Sequence, residues 1–160
     1  MTVRERYFYG PFIPKLKHSV LSNHLGCNGF IDTADGYISL VKRVGNATVA
    51  KHVYGGSFGM VPKIRYMVEP DKQKLKDDGI LQSVKREICE KYNLSGEEME
   101  RMTGKVIAAY RDIVEGGKPQ LLFYIKLDVS KEEIEVRLKR RIFWNKSEAK
   151  NGKALNARKL

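Results

Sequence analysis

Hydrophobic spacing predicts the clearest helix of the chain over residues 79–92. Ile80, Val84 and Ile88 lie four residues apart, and Tyr92 continues this spacing, so the four side chains form one apolar stripe. Two aspartates directly before the stretch offer an N-cap, and the asparagine directly after it is suited to a left-handed terminating residue. The pattern therefore indicates an amphipathic helix that packs one side against a core.

A tight turn is predicted at Asp35-Gly36, between the β-compatible stretches "GFIDT" and "YISLVKR". Both turn residues tolerate the positive φ that hairpin turns of this length require. Further along, Gly55-Gly56 forms either a simple bulge or a place where the backbone comes close to another chain or a ligand. Between this pair and the helix we expect a polar excursion with a short strand near residues 64–68.

A second hairpin is predicted from "TGKVIAAYRDIV" and "KPQLLFYIKLDV", and its second arm is apolar enough for the centre of a sheet. A short helical turn at "SGEEMERM" precedes it, and an amphipathic helix over residues 131–140 follows it. The order of strand hairpin, glycine-rich loop, helix, hairpin and helix favours an α+β fold in which a mixed sheet packs against helices.

Charge is distributed unevenly along the 160 residues. The formal net charge is +11, and residues 137–160 carry +8 of it, because they hold nine Lys/Arg and a single acid. We expect an N-terminal leader over 1–22, a domain over 23–140 whose apolar content supports a core, and a basic tail over 141–160. The tail is either a solubilising end, the start of a further strand, or a segment that contacts nucleic-acid phosphates weakly.

The cysteines and the apolar runs bear on the cellular location. Cys27 and Cys89 lie in unrelated segments and form no metal-type CxxC pair, which favours reduced thiols in a cytoplasmic protein. No apolar run approaches membrane-spanning length, so we expect no membrane partner.

Charged residues of the predicted helix raise the question of chemistry. In "REICEKYNL", Glu87 and Glu90 are three residues apart and share one side of the helix, while Lys91 places an ammonium four residues beyond Glu87. This combination fits a surface ion-pair face, a divalent-metal site, or the remnant of such a site.

The same stretch resembles the signature of the Nudix hydrolase family, G-x5-E-x7-R-E-U-x-E-E-x-G-U, in which U is a bulky apolar residue. Five positions are in register: Arg86, Glu87, Ile88, Glu90 and Leu94. Asp78 falls at the position of the upstream glutamate, "HVYGG" resembles the preceding glycine pair, and "YISLVKR" resembles the first long strand. The resemblance covers roughly residues 24–128 and implies a Nudix-like α/β/α sandwich with a mixed β-sheet.

The resemblance implies attack of water on the pyrophosphate of a nucleoside diphosphate-linked substrate, assisted by Mg²⁺ or Mn²⁺. Glu87 would be a metal ligand and possible base, Glu90 a second metal ligand, and Arg86 an orienting ion-pair partner. A nucleotide-type small molecule would contact four residues through its phosphates: Gly55, Gly56, Lys91 and Arg43.

Departures from the signature leave other functions open. Lys91 replaces the second adjacent glutamate, Asn93 the late glycine, and Lys72 the opening glycine. An ammonium beside two carboxylates competes with a divalent ion, so Lys91 is expected to weaken metal binding. The leading hypothesis is a divergent Nudix-type hydrolase. The alternatives are a catalytically inactive Nudix-like nucleotide-binding or regulatory module, and a nucleic-acid-associated protein that uses its basic tail.

Overall fold

A computed structural model describes five segments of the chain: residues 15–18, 24–42, 53–69, 76–112 and 117–139. Most of the expected leader and the whole basic tail over 141–160 lie outside these residues, as does Arg43. The predictions made for the leader, the tail and Arg43 therefore stay predictions.

The described elements form a mixed α+β fold, as the sequence predicted. The strands are β1 (Gly26–Asp32), β2 (Ile38–Ser39), β3 (Val41–Lys42), β4 (Tyr54–Gly55), β5 (Phe58–Met60), β6 (Thr103–Asp112) and β7 (Lys118–Lys126). The helices are α1 (Ile64–Met67), α2 (Gly79–Tyr92), α3 (Gly96–Arg101) and α4 (residues 131–139), preceded by a 3-10 turn at Leu16–His18.

A five-stranded mixed sheet has β1 and β7 at its centre, paired in parallel from Gly26 opposite Gln120 to Asp32 opposite Lys126. Strand β6 runs antiparallel along the other edge of β7, and the short strands β2 and β5 both pair antiparallel with the outer edge of β1. Strands β3 and β4 form a separate two-stranded ribbon. The apolar arm of the second hairpin thus lies at the sheet centre, as its composition predicted.

The hydrophobic core lies between one face of this sheet and α2. Val84 and Ile88 of the helix are fully buried, and they belong to the same cluster as Ile31, Phe123 and Ile125 from the central strands. Because side chains alternate along a strand, the intervening residues of β1 and β7 point to the opposite face. One face of the sheet is therefore buried in the core with α2, and the side chains of the opposite face lie outside this core.

The predicted helix is confirmed over Gly79–Tyr92, and Asn93 ends it in the left-handed conformation at φ 53° and ψ 52°. Asp78 lies at the N-cap position, but its side chain makes no capping hydrogen bond and instead accepts from Gln82 Nε2 at 2.8 Å. The hairpin between β1 and β2 is also confirmed, but of the two predicted turn residues only Gly36 has a positive φ, at 80°, and Asp35 does not.

Two local predictions were wrong. A strand was expected near residues 64–68, but Ile64–Met67 is helical. The prediction failed because so short an apolar run does not distinguish a helical period from a strand period. The stretch "YISLVKR" is not one long strand, since Ile38–Ser39 pairs with β1 and Val41–Lys42 pairs with β4. The long strand of that hairpin is β1.

Within the described segments, no helix is long and apolar enough to cross a membrane.

A charged network joins α3 and α4 across the end of α2. Ser95 and Glu98 form a reciprocal capping box at the start of α3, and both oxygens of Glu98 accept from the guanidinium of Arg137 at 2.8 and 2.9 Å. Arg137 also donates to Glu133 and to the carbonyl oxygen of Asn93. These hydrogen bonds lower the pKa of Glu98 to about 2, with the Arg137 guanidinium as the largest cause.

We predict that Glu98→Gln lowers the free energy of unfolding by roughly 1.5–3 kcal/mol at pH 7, the range for hydrogen bonds to charged groups. The Glu98 pKa is lower in the folded chain than its ordinary value of 4.5, so its contribution is complete above pH 4.5 and is lost as the pH falls towards 2. Urea unfolding of both proteins across this pH range measures the difference. Glu97→Gln, in the same helical turn, is the control, and an unchanged gap between wild type and Glu98→Gln at pH 2.5 would contradict the prediction.

Candidate functional site

Ser57 joins three elements through five hydrogen bonds. Its peptide N–H donates to Gly29 O at 2.8 Å, and its hydroxyl donates to Ser39 O and accepts from Ile31 N. Its carbonyl oxygen accepts from Lys91 Nζ at 2.7 Å and from the Tyr92 hydroxyl at 3.0 Å. Ser57 is completely buried, so these bonds hold β1, β2 and the end of α2 in fixed positions around it.

The glycine pair lies directly before Ser57 and approaches β1 closely. A Cβ atom on Gly56 would lie 2.7 Å from Gly29 O, which is shorter than any normal contact with a backbone oxygen. Gly56 is therefore needed for packing, because a larger residue would push the loop away from β1. The close approach that the structure shows is to strand β1 of the same chain, so an approach of this backbone to a ligand stays a prediction.

A cavity of about 650 Å³ opens beside this loop. Gly55, Gly56 and Lys91 line one part of it, and Asn28, Tyr110 and Gln120 line another. Three of the four residues expected to contact phosphate thus share one cavity, and the fourth, Arg43, is outside the described residues.

Glu87 and Glu90 lie outside this cavity, where they face Lys63. Lys63 Nζ is 3.3 Å from Glu90 Oε2 and 3.7 Å from Glu87 Oε2. The backbone of Lys63 is itself attached to α2, because its N–H donates to the buried Ser83 hydroxyl at 3.0 Å. The two carboxylates therefore converge on one point, and an ammonium occupies that point.

A divalent ion at this point would have few ligands. Asp78 precedes Glu87 by nine residues, or about 13 Å along a helix axis. In the parts of the chain that the structure covers, no three His, Cys, Asp or Glu side chains are grouped so that they could hold a metal ion. The donor set around Glu87 and Glu90, with Lys63 between them, does not fit a magnesium or manganese site.

Arg86, the expected orienting partner, is exposed on α2. The structure thus separates the predicted residues: Gly55, Gly56 and Lys91 line the cavity, whereas Arg86, Glu87 and Glu90 lie outside it, and the two carboxylates face Lys63. Neither cysteine is suited to nucleophilic chemistry, since burial raises the pKa of Cys27 to about 11 and also raises that of Cys89.

Reasoning from the sequence missed four residues of these two groups: Ser57, Lys63, Asn28 and Tyr110. Asn28 carried a usable signal, because an amide inside the strand stretch "GCNGFI" needs a partner when it is buried. Lys63 carried none, since one lysine among many does not reveal which carboxylates it approaches.

Comparison with known proteins finds no protein-family model that matches the chain and no curated protein that matches it.

We predict that Ser57→Ala destabilises the fold by about 1–3 kcal/mol, because it leaves the buried N–H of Ile31 without its acceptor. Chemical denaturation measures the loss. Ser39→Ala is the matched control, since the Ser39 carbonyl that accepts from Ser57 remains, and its effect should stay within about 0.5 kcal/mol. Equal stability of Ser57→Ala and wild type would show that the Ser57 hydroxyl does not hold the strands together.

Proposed function

We propose that this chain is a Nudix-like domain that binds a nucleotide-type, phosphate-bearing ligand without hydrolysing it. The observation that carries the proposal is the division of charge on α2. Lys91 lies on the cavity wall beside the glycine pair, whereas Glu87 and Glu90 lie outside the cavity against Lys63.

The cavity supports binding of an anionic small molecule. Its volume of about 650 Å³ is within the range of roughly 300–1,000 Å³ that is usual for ligand sites. Lys91 and Lys118 both line it, and lysine ammonium groups bind phosphate as point charges. Gly55 and Gly56 also line the cavity, and the Gly56 backbone is held there by its close approach to β1.

The arrangement of α2 against the sheet supports the Nudix-like α/β/α sandwich that forms part of this proposal. The helix that carries the registered signature residues packs on a mixed sheet with a parallel central pair, and α1 lies between this helix and the glycine-containing strands β4 and β5.

Electrostatics argues against metal-dependent turnover. Glu87 and Glu90 carry two negative charges. The Lys63 ammonium lies beside both carboxylates, and Lys91 adds a second positive charge on the same turn of α2. Mg²⁺ gives up its hydration water reluctantly and needs strong anionic ligands to do so. Because lysines already balance the charge of these carboxylates, their attraction for Mg²⁺ is too weak to offset the loss of its hydration water.

Metal-dependent hydrolysis is the second candidate function, because both carboxylates converge on one point within 3.7 Å. The side chains of Lys63 and Glu90 are 40% and 55% exposed, and ion pairs this exposed contribute only about 0–1 kcal/mol. A divalent ion that arrives with a bound substrate could displace the Lys63 ammonium. The Mn²⁺ and turnover measurements below distinguish the two candidates.

We predict that the wild-type chain binds Mn²⁺ weakly and releases no phosphate or nucleotide from nucleoside diphosphate-linked compounds. Lys63→Glu places a third carboxylate where the ammonium lies and should raise Mn²⁺ affinity at least tenfold, because a repulsive charge becomes an attractive one. Calorimetry with Mn²⁺ alone and product analysis across a nucleotide panel measure the two effects.

Lys126→Glu, an exposed site on β7, is the control for the added negative charge. Metal-dependent turnover by the wild type that disappears in Glu90→Gln would overturn the binding proposal and establish the hydrolase.

We further predict that Lys91→Met weakens binding of ADP by about tenfold or more and leaves binding of adenosine unchanged, since only ADP has a phosphate for the ammonium. Calorimetry without divalent ions measures both affinities. Lys91→Arg should retain most of the ADP affinity, and Lys126→Met should retain all of it. If Lys91→Met binds ADP as tightly as the wild type, Lys91 is not the phosphate contact.

A further inference from the structure

Asn28 has a polar group without a partner on the wall of the cavity. Its Nδ2 donates to the Tyr110 hydroxyl at 2.8 Å, while its Oδ1 is buried and has no hydrogen-bond partner. A buried carbonyl oxygen that is left unpaired destabilises a protein by about 1–3 kcal/mol, so native structures nearly always pair such groups. The oxygen therefore indicates that a hydrogen-bond donor from a ligand belongs beside it.

The sheet holds Asn28 in place. On one edge its strand pairs with Gly59 of β5, and on the other with Leu122 of β7. Tyr110 stands on β6, two strands away, and its side chain reaches across β7 to the amide. In this orientation of the amide one Nδ2 hydrogen is donated to the hydroxyl, and the oxygen is the atom that has no partner.

Apolar surface lies next to this oxygen. Phe30, Met60 and Leu122 line the same cavity, so a planar ring could be buried there while one of its edges meets Asn28. Lys91 and the glycine pair line the same continuous space. A base at Asn28 and phosphates at Lys91 are therefore compatible with a single bound molecule.

We infer that Asn28 selects a nucleobase that carries an exocyclic amine, through an N–H···O hydrogen bond to its Oδ1. This inference rests on the proposed function, since it requires that a nucleotide-type ligand enters the cavity. An exocyclic amine supplies the missing donor, whereas a base edge that has no N–H leaves the buried oxygen unpaired. Tyr110 is a positioning residue, because it acts only by holding the amide.

Matched nucleotides test the inference. Three pairs differ at an exocyclic amine: ADP and purine riboside 5′-diphosphate, GDP and IDP, and CDP and UDP, of which the last pair also differs by a carbonyl group and an N3–H in UDP. Calorimetry on the wild type should show that the amine-bearing member of at least one pair binds about tenfold or more tightly than its partner. Equal affinities within all three pairs would overturn the inference and leave the proposed nucleotide binding intact.

Variants identify the residue that makes the selection. Asn28→Leu has a similar volume and no acceptor, so it should bind both members of the preferred pair with nearly equal affinity. Asn28→Asp keeps an acceptor and should keep the preference. Tyr110→Phe frees the amide to rotate and present its donor, so the preference should decrease. It should return in the double variant Tyr110→Phe/Asn28→Asp, whose carboxylate is an acceptor in either orientation.

A purely structural role for Asn28 would change the affinities for all nucleotides together and leave their ratio unchanged. Thermal unfolding of each variant measures whether the substitution also lowers the stability of the fold. If Asn28→Leu keeps the wild-type ratio, Asn28 does not read the base. If neither the six nucleotides nor pyrophosphate binds the wild-type chain, the proposed function itself fails, and the inference fails with it.

Discussion

The hydrogen bonds of the buried Ser57 are the constraint on which the site depends. The peptide N–H and the hydroxyl of Ser57 form hydrogen bonds with β1 and β2. Its carbonyl oxygen accepts hydrogen bonds from the Lys91 ammonium and the Tyr92 hydroxyl. The end of α2 and the loop after the glycine pair are thereby held against the same strand. The hydrogen bond from Lys91 to the Ser57 carbonyl, next to Gly56, helps to hold Lys91 and the glycine pair on the wall of one cavity.

The junction also explains why the charged residues of α2 divide into two groups. Lys91 is turned towards the Ser57 carbonyl, while Glu87 and Glu90 are directed to Lys63, whose backbone is attached to the same helix through Ser83. A helix that resembles a metal-binding element thus presents an ammonium to the cavity and pairs its carboxylates elsewhere. The proposed binding of an anion in the cavity would need no metal, so we propose phosphate recognition rather than phosphate chemistry.

Much of the fold could be predicted from the sequence, because long regular elements leave periodic patterns. The bounds of α2, its left-handed end at Asn93 and the β6–β7 hairpin all followed from such patterns. The prediction failed at residues 64–68, where the run is too short for a period to show. The site was only partly predictable. The charged helix and the glycine pair were visible, but the residues that face them were not.

What the sequence by itself determined is local: where apolar residues repeat with a helical or strand period, where turns and caps fall, and which helix carries paired carboxylates. What only the tertiary structure decided is which distant groups meet. Lys63 reaches Glu90 across 27 residues, and Asn28 reaches Tyr110 across 82. Such contacts depend on the order and register of the strands, and these follow from burying the whole core at once. No local pattern contains that information, so the partner of each charge and the unpaired oxygen of Asn28 became visible only in the folded chain.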